Sequence, residues 1–171
     1  MLDLSQLMVR EECRNDVEYI VEEKGMAGTI RGNQYRYVGK EAKCAECGAY
    51  VYVEEISDAN LKALYDVYRE ANGIVALEKI QAIPERYAIG KRPLSVLLGW
   101  GEHTFTRYAD GDIPTRQYSE TLSRLFDDPE YYLRILEENK DRMASAQSYE
   151  KSHAAAMKLI ENGLDEFVTV T

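Results

Sequence analysis

The segment RPLSVLLGWGEHTFTRYADG, residues 92–111, constrains the chain more than any other, because two short apolar patterns in it are each closed by glycine. Pro93 suits the first turn of a helix, where its missing N–H is not needed, and Leu94, Leu97 and Leu98 then fall on one face. Gly99 ends that helix, and Trp100 and Gly101 make a turn. Phe105 and Tyr108 supply a second apolar face before Asp110-Gly111 stops it. Glu102, His103, Thr104, Thr106 and Arg107 are left for the solvent side. Two short helices at a sharp angle, the second presenting hydrogen-bonding groups, predict a helix-turn-helix whose second helix enters a major groove.

Individual side chains then acquire expected roles. His103 and Arg107 are four apart and share a helical face. Arg107 offers a two-pronged donor that matches guanine O6 and N7. Its plain alternative is an ion pair with Glu102 or Asp110 on a solvated face. His103 reads as a base contact, a phosphate contact or a surface residue, and Thr104 and Thr106 are short hydrogen-bonding neighbours. Lys91, Arg92 and Arg116 stand near the starts of flanking helices, where cations clamp phosphate.

Charge raises an objection to nucleic acid, since the chain carries a net −9 and phosphate repels carboxylate. The excess is unevenly spread. Residues 74–126 hold seven Lys+Arg against six Asp+Glu, whereas 1–73 hold nine against fourteen and 127–171 five against ten. The repulsion therefore lies outside the expected reader and leaves an acidic flank for a basic partner. Apolar runs fall far short of the roughly 20 residues that span a bilayer, and no basic-then-apolar leader opens the chain. A cytoplasmic protein without a membrane partner is expected.

Towards the N-terminus, Asp16–Glu23 and Gln34–Val38 alternate polar with apolar residues, Gly25, Gly28 and Gly32 punctuate that stretch, and Tyr50–Val53 follows Cys44–Gly48. They predict a small antiparallel β unit, short of large aliphatics and of a size that commonly needs a staple. Cys44-Ala45-Glu46-Cys47-Gly48 has the spacing of a zinc knuckle. Cys13 supplies a third thiolate, while Arg10 occupies the place where a second knuckle would carry its other cysteine. Two readings stay open: zinc held by Cys13, Cys44 and Cys47 with water or a carboxylate such as Asp16, or a ribbon that keeps its fold by packing. No nucleophile–base pair, paired carboxylates or open metal site stands out, so an enzyme is not expected.

Further along, Leu61, Leu64, Tyr65 and Tyr68 mark an amphipathic helix over 57–73, capped by Ser57 or Asp58, that links two halves. Helices are expected from Ile74 to Ile83, interrupted at Pro84, from Thr115 to Phe126, and from Pro129 to Lys140 behind an Asp128 cap. Another runs over 145–162 with Ala156, Leu159 and Ile160 inward, and Glu166–Thr171 has strand-like composition. The fold class is thus α+β. A β zinc-ribbon-like domain spans 1–56, a linking helix 57–73, an all-α helix-turn-helix domain 74–142, and a C-terminal helix and tail 143–171.

A cysteine-knuckle β unit, a linking helix and LLGWGEHTFTRYADGDIP in that order resemble the MqsA-like antitoxin and phage-regulator family, with its Xre-type helix-turn-helix, over nearly the whole chain. The resemblance implies a zinc domain that binds a toxin, and a C-terminal domain that dimerises, binds a double-stranded operator and represses its own operon. It puts the two main base-reading positions at His103 and Arg107. Arg10 departs from the family's zinc set. The alternatives are a stand-alone phage or prophage regulator, and an interaction module that no longer reads DNA.

Overall fold

From Tyr19 to Cys44 the chain builds one long hairpin. In the computed structural model, which describes residues 8–9 and 16–168 with side chains from 18 to 164, two-residue strands β1 (Met8–Val9) and β2 (Asp16–Val17) pair antiparallel. Strands β3 (Tyr19–Ile30) and β4 (Asn33–Cys44) follow in unbroken antiparallel register, and β5 (Tyr50–Val51) adds to β4, giving the order β3-β4-β5. The two-residue turn Arg31-Gly32 has positive φ at both positions (51° and 82°), the signature of a primed turn that matches strand twist. Gly25 and Gly28, expected as breaks, lie inside β3.

By strand alternation, Tyr19, Val21, Ala42 and Cys44 share one face of the hairpin, and Met26, Gly28, Tyr35, Tyr37 and Gly39 share the other. Each set is buried or half-buried in its own half, so the covered face changes along the ribbon. Helix α1 (Glu54–Ala71) makes this exchange, packing mainly on β4. A methyl group on Gly28 would stand 2.5 Å from Leu64, which is why that strand position carries glycine. Beside it, the Asn60 amide accepts from the Lys40 N–H and donates to the Lys40 carbonyl, both at 2.7 Å, and so satisfies backbone that β5 is too short to reach.

The helix therefore starts before Ser57 or Asp58. Buried Val53 precedes its first turn without a side-chain cap, and Glu54 and Glu55 face the positive end of the dipole. Leu61, expected on the apolar face, is 54% exposed, while Asn60 and Leu64 are the residues turned to the hairpin. The helix is no free link: residues 1–72 form one compact unit that contains it, and 73–171 form the other.

The second unit is helical: α2 (Leu77–Arg86), α3 (Lys91–Leu97), α4 (Thr104–Ala109), α5 (Arg116–Asp127), α6 (Pro129–Glu138), a 3-10 turn at Lys140–Arg142, and α7 (Ala146–Val168). Pro84 sits inside α2 without restarting it, and α3 begins at Lys91, two residues before Pro93. Asp128 caps α6 by accepting from the Tyr131 N–H at 3.0 Å, with Pro129 in the first turn, as that pair predicts. The core gathers Ile80, Ile83, Tyr87, Leu94, Leu97, Phe105, Leu122, Leu125, Tyr132 and Leu136 around Ala156 of α7. Buried Ser152, also on α7, donates to the Tyr87 carbonyl and accepts from the Tyr132 hydroxyl, whose ring stacks on Tyr87 at 3.7 Å. Hence α7 belongs to this unit, and its helix runs to Val168 through part of the stretch expected as a strand; residues 169–171 lie outside the described residues. The described fold is α+β. No helix among the described residues is long and apolar enough to cross a membrane.

Candidate nucleic-acid interface

Helices α3 and α4 are held together by a group that periodicity does not reveal. Ser95, fully buried on α3, accepts from the Phe105 N–H at 3.0 Å. That N–H lies in the first turn of α4, where backbone donors lack helical partners, and His103 makes no side-chain cap there. Ser95 thus caps the neighbouring helix from inside the core. Both helices then end in the same way. Trp100 N–H reaches Ser95 O and Gly99 N–H reaches Val96 O; Asp112 N–H reaches Arg107 O and Gly111 N–H reaches Tyr108 O. With φ of +72° at Gly99 and +120° at Gly111, these are the 6→1 and 5→2 bonds of a Schellman ending.

Aromatic contacts tie the turn to α4 and to α5. Trp100, in the turn, meets the Tyr118 ring edge to face at 4.6 Å and the Tyr108 ring at 6.3 Å. Burial pushes the Tyr108 phenol above its usual range, and Tyr118 adds to that. From the far end of the unit, Arg142 donates to the Leu97 carbonyl at 3.2 Å and brings a cation to the C-terminus of α3. The sequence offers no local signal for that last contact, which joins residues 45 apart.

On the outer side, the expected reading residues come together on α4 and the edges beside it. Arg107 is exposed, while Thr104 and Thr106 are half-buried. His103 and Glu102 precede the helix instead of lying on its face, yet the Arg107 N–H still donates to the His103 carbonyl at 3.1 Å. His103 and Arg107 are therefore one turn apart. Lys91 and Arg92 open α3, and Arg116 opens α5.

Every one of these cations has a carboxylate beside it. Arg92 pairs with Glu102 at 2.8 Å, Lys91 with Asp110 at 3.6 Å, Arg116 with Glu120 at 3.1 Å, and Arg107 Nε with Asp112 Oδ2 at 2.9 Å. Arg107 thus pairs with neither Glu102 nor Asp110, which are taken by the cations of α3. Exposed pairs of this kind contribute about 0–1 kcal/mol, against roughly 1–3 kcal/mol for a two-pronged contact to the right base. Pairs of that strength leave the remaining N–H donors of a guanidinium able to take another acceptor.

The expected metal set lies in the other unit. The turn from β4 to β5 is closed by its own backbone: Gly48, at φ +70°, donates to the Cys44 carbonyl at 2.9 Å, and Cys44 N–H donates to Ala49 O at 2.9 Å. Cys44 is buried beside Tyr19, Ala42, Val51 and Val53, and Cys47 is exposed. Cys13 and Arg10 lie outside the described residues, and the side chain of Asp16 is not described. Among the described residues, no group of three or more His, Cys, Asp or Glu could hold a metal. The described thiols are two of the three expected.

Compared with known proteins, the sequence matches no protein-family model and no curated protein.

Proposed function

We propose that residues 73–171 read double-stranded DNA, with α3 and α4 as an Xre-type helix-turn-helix and α4 as its reading helix. The exposed guanidinium of Arg107, on a short helix whose start is capped from the core by Ser95, carries this reading. Arg107 contacts a base edge, His103 stands one turn before it, Thr104 and Thr106 make shorter contacts, and Lys91, Arg92 and Arg116 meet phosphates. The near-neutral charge of 74–126 supports sequence-selective binding with little background. One such helix covers few base pairs, so the protein binds as a homodimer on two half-sites about 34–36 Å apart.

The resemblance noted above extends the proposal. The first unit, zinc-ribbon-like around Cys13, Cys44 and Cys47, binds a toxin encoded beside it, and the whole is a cytoplasmic antitoxin that represses its own operon; a binding role, not catalysis, is proposed throughout. Footprinting on the chain's own promoter tests this. A protected palindrome is expected, and protection of one asymmetric half-site by a monomer rejects the dimer. A second reading, an interaction module that no longer reads DNA, draws on the net −9 charge and on the carboxylate beside each cation. It requires that no promoter fragment be protected.

A further inference from the structure

We infer that Asp112 is the residue that makes Arg107 a guanine reader rather than a phosphate contact, an inference that rests on the DNA-reading role proposed for α4. Two bonds join these residues. The Asp112 N–H donates to the Arg107 carbonyl at 3.0 Å as part of the helix ending, and Asp112 Oδ2 accepts from Arg107 Nε at 2.9 Å. The carboxylate is therefore delivered by the backbone turn at Gly111, whose φ of +120° suits glycine. The other pairs are built differently: Asp110 and Glu102 lie 19 and 10 residues beyond Lys91 and Arg92, and Glu120 stands one helical turn after Arg116 within α5.

The atom that Asp112 engages matters. Arginine carries five N–H donors in a planar fork, and holding Nε leaves the pair at the tip, one N–H on each Nη, available to a partner. Those are the donors that meet two acceptors side by side. In the major groove, guanine presents two acceptors, N7 and O6, whereas adenine presents an acceptor and a donor. A long, 66% exposed side chain without a brace can instead swing to the nearest phosphate, which accepts from any orientation. Asp112 removes that freedom. It also places a negative charge beside DNA, which weakens binding to every sequence, so its electrostatic and positioning effects have opposite signs on selectivity.

Those signs make the test. A randomised duplex library is enriched with the full-length protein, and the enriched duplex, its single G→A variants and a random duplex are then titrated at several salt concentrations. Asp112→Ala is expected to bind the random duplex more tightly, by about twofold, yet to lose about tenfold of the preference for guanine at one position of each half-site. Asp112→Asn keeps an acceptor for Nε. It should gain on random DNA and retain most of the preference. In an Arg107→Ala background, Asp112→Ala should change no preference at all. Tighter binding of Asp112→Ala to all duplexes with unchanged preference overturns the brace while leaving the DNA-reading role standing. No enriched sequence, or a preference indifferent to Arg107→Ala, overturns both. Asp112 is exposed, and equal melting temperatures for the variants exclude a folding defect.

Discussion

Arg107 and Arg92 differ in what a truncation should do, although each is exposed and each has a carboxylate within 3 Å. Arg107→Ala is expected to cost about 1–3 kcal/mol on the preferred duplex and little on random DNA, because what it loses is a base contact. Arg92→Ala should weaken both alike and make the salt dependence shallower by about one unit, as expected for a lost phosphate. Titrations of both variants on both DNAs at several salt concentrations decide the roles, and equal losses for Arg107→Ala would reduce it to a backbone contact. The sequence suggested Arg107 by its position on an outward helical face. It did not suggest Asp112, which lies beyond the helix and outside its periodicity, and is carried to Arg107 by the turn at Gly111. Nor did it single out Ser95, a small polar residue among leucines whose burial is a property of the packed helices.

Helices and strands were legible where their signals are local. Asp128-Pro129 opens α6, and Gly99 and Gly111 close α3 and α4, because caps and left-handed endings depend on a few neighbouring residues. The hairpin was read as broken at Gly25 and Gly28 since glycine ordinarily marks turns. Gly28 instead makes room for Leu64, a partner 36 positions away, and α7 overrode the β-like composition of Glu166-Phe167-Val168. What ties α7 down is also testable. Burial pushes the Tyr132 phenol up to about 12, in spite of its hydrogen bond to Ser152. A phenol with a raised folded pKa favours the folded state below its unfolded value of about 10 and loses that advantage as pH climbs through the folded one, at about 1.4 kcal/mol per unit. The second unit is therefore expected to weaken steeply between pH about 10 and about 12. Tyr132→Phe should flatten that limb in denaturant titrations and cost about 1 kcal/mol at neutral pH; an unchanged alkaline limb would mean that Tyr132 is not the group responsible.

Across the molecule, the two hydrophobic clusters share no residue: one centres on Tyr19, Ala42, Val51 and Val53, the other on Ile80, Leu94, Phe105 and Tyr132. Two transitions are accordingly expected in scanning calorimetry, the smaller from the sheet unit, whose size limits how much surface it can bury. If Cys13, Cys44 and Cys47 hold zinc, a strong chelator should lower that transition alone, because metal binding is then part of its folding free energy. A single transition, unmoved by chelator, would contradict both the independence of the units and the metal. The long ribbon also limits how a chain of this kind can change by insertion. It hides one face near its root and the other near its tip, so one extra residue in a single strand would turn a whole segment inside out unless a bulge absorbed it. A matched pair added beside Arg31-Gly32 would only lengthen the arm, and inheritance can therefore alter its reach in whole rungs.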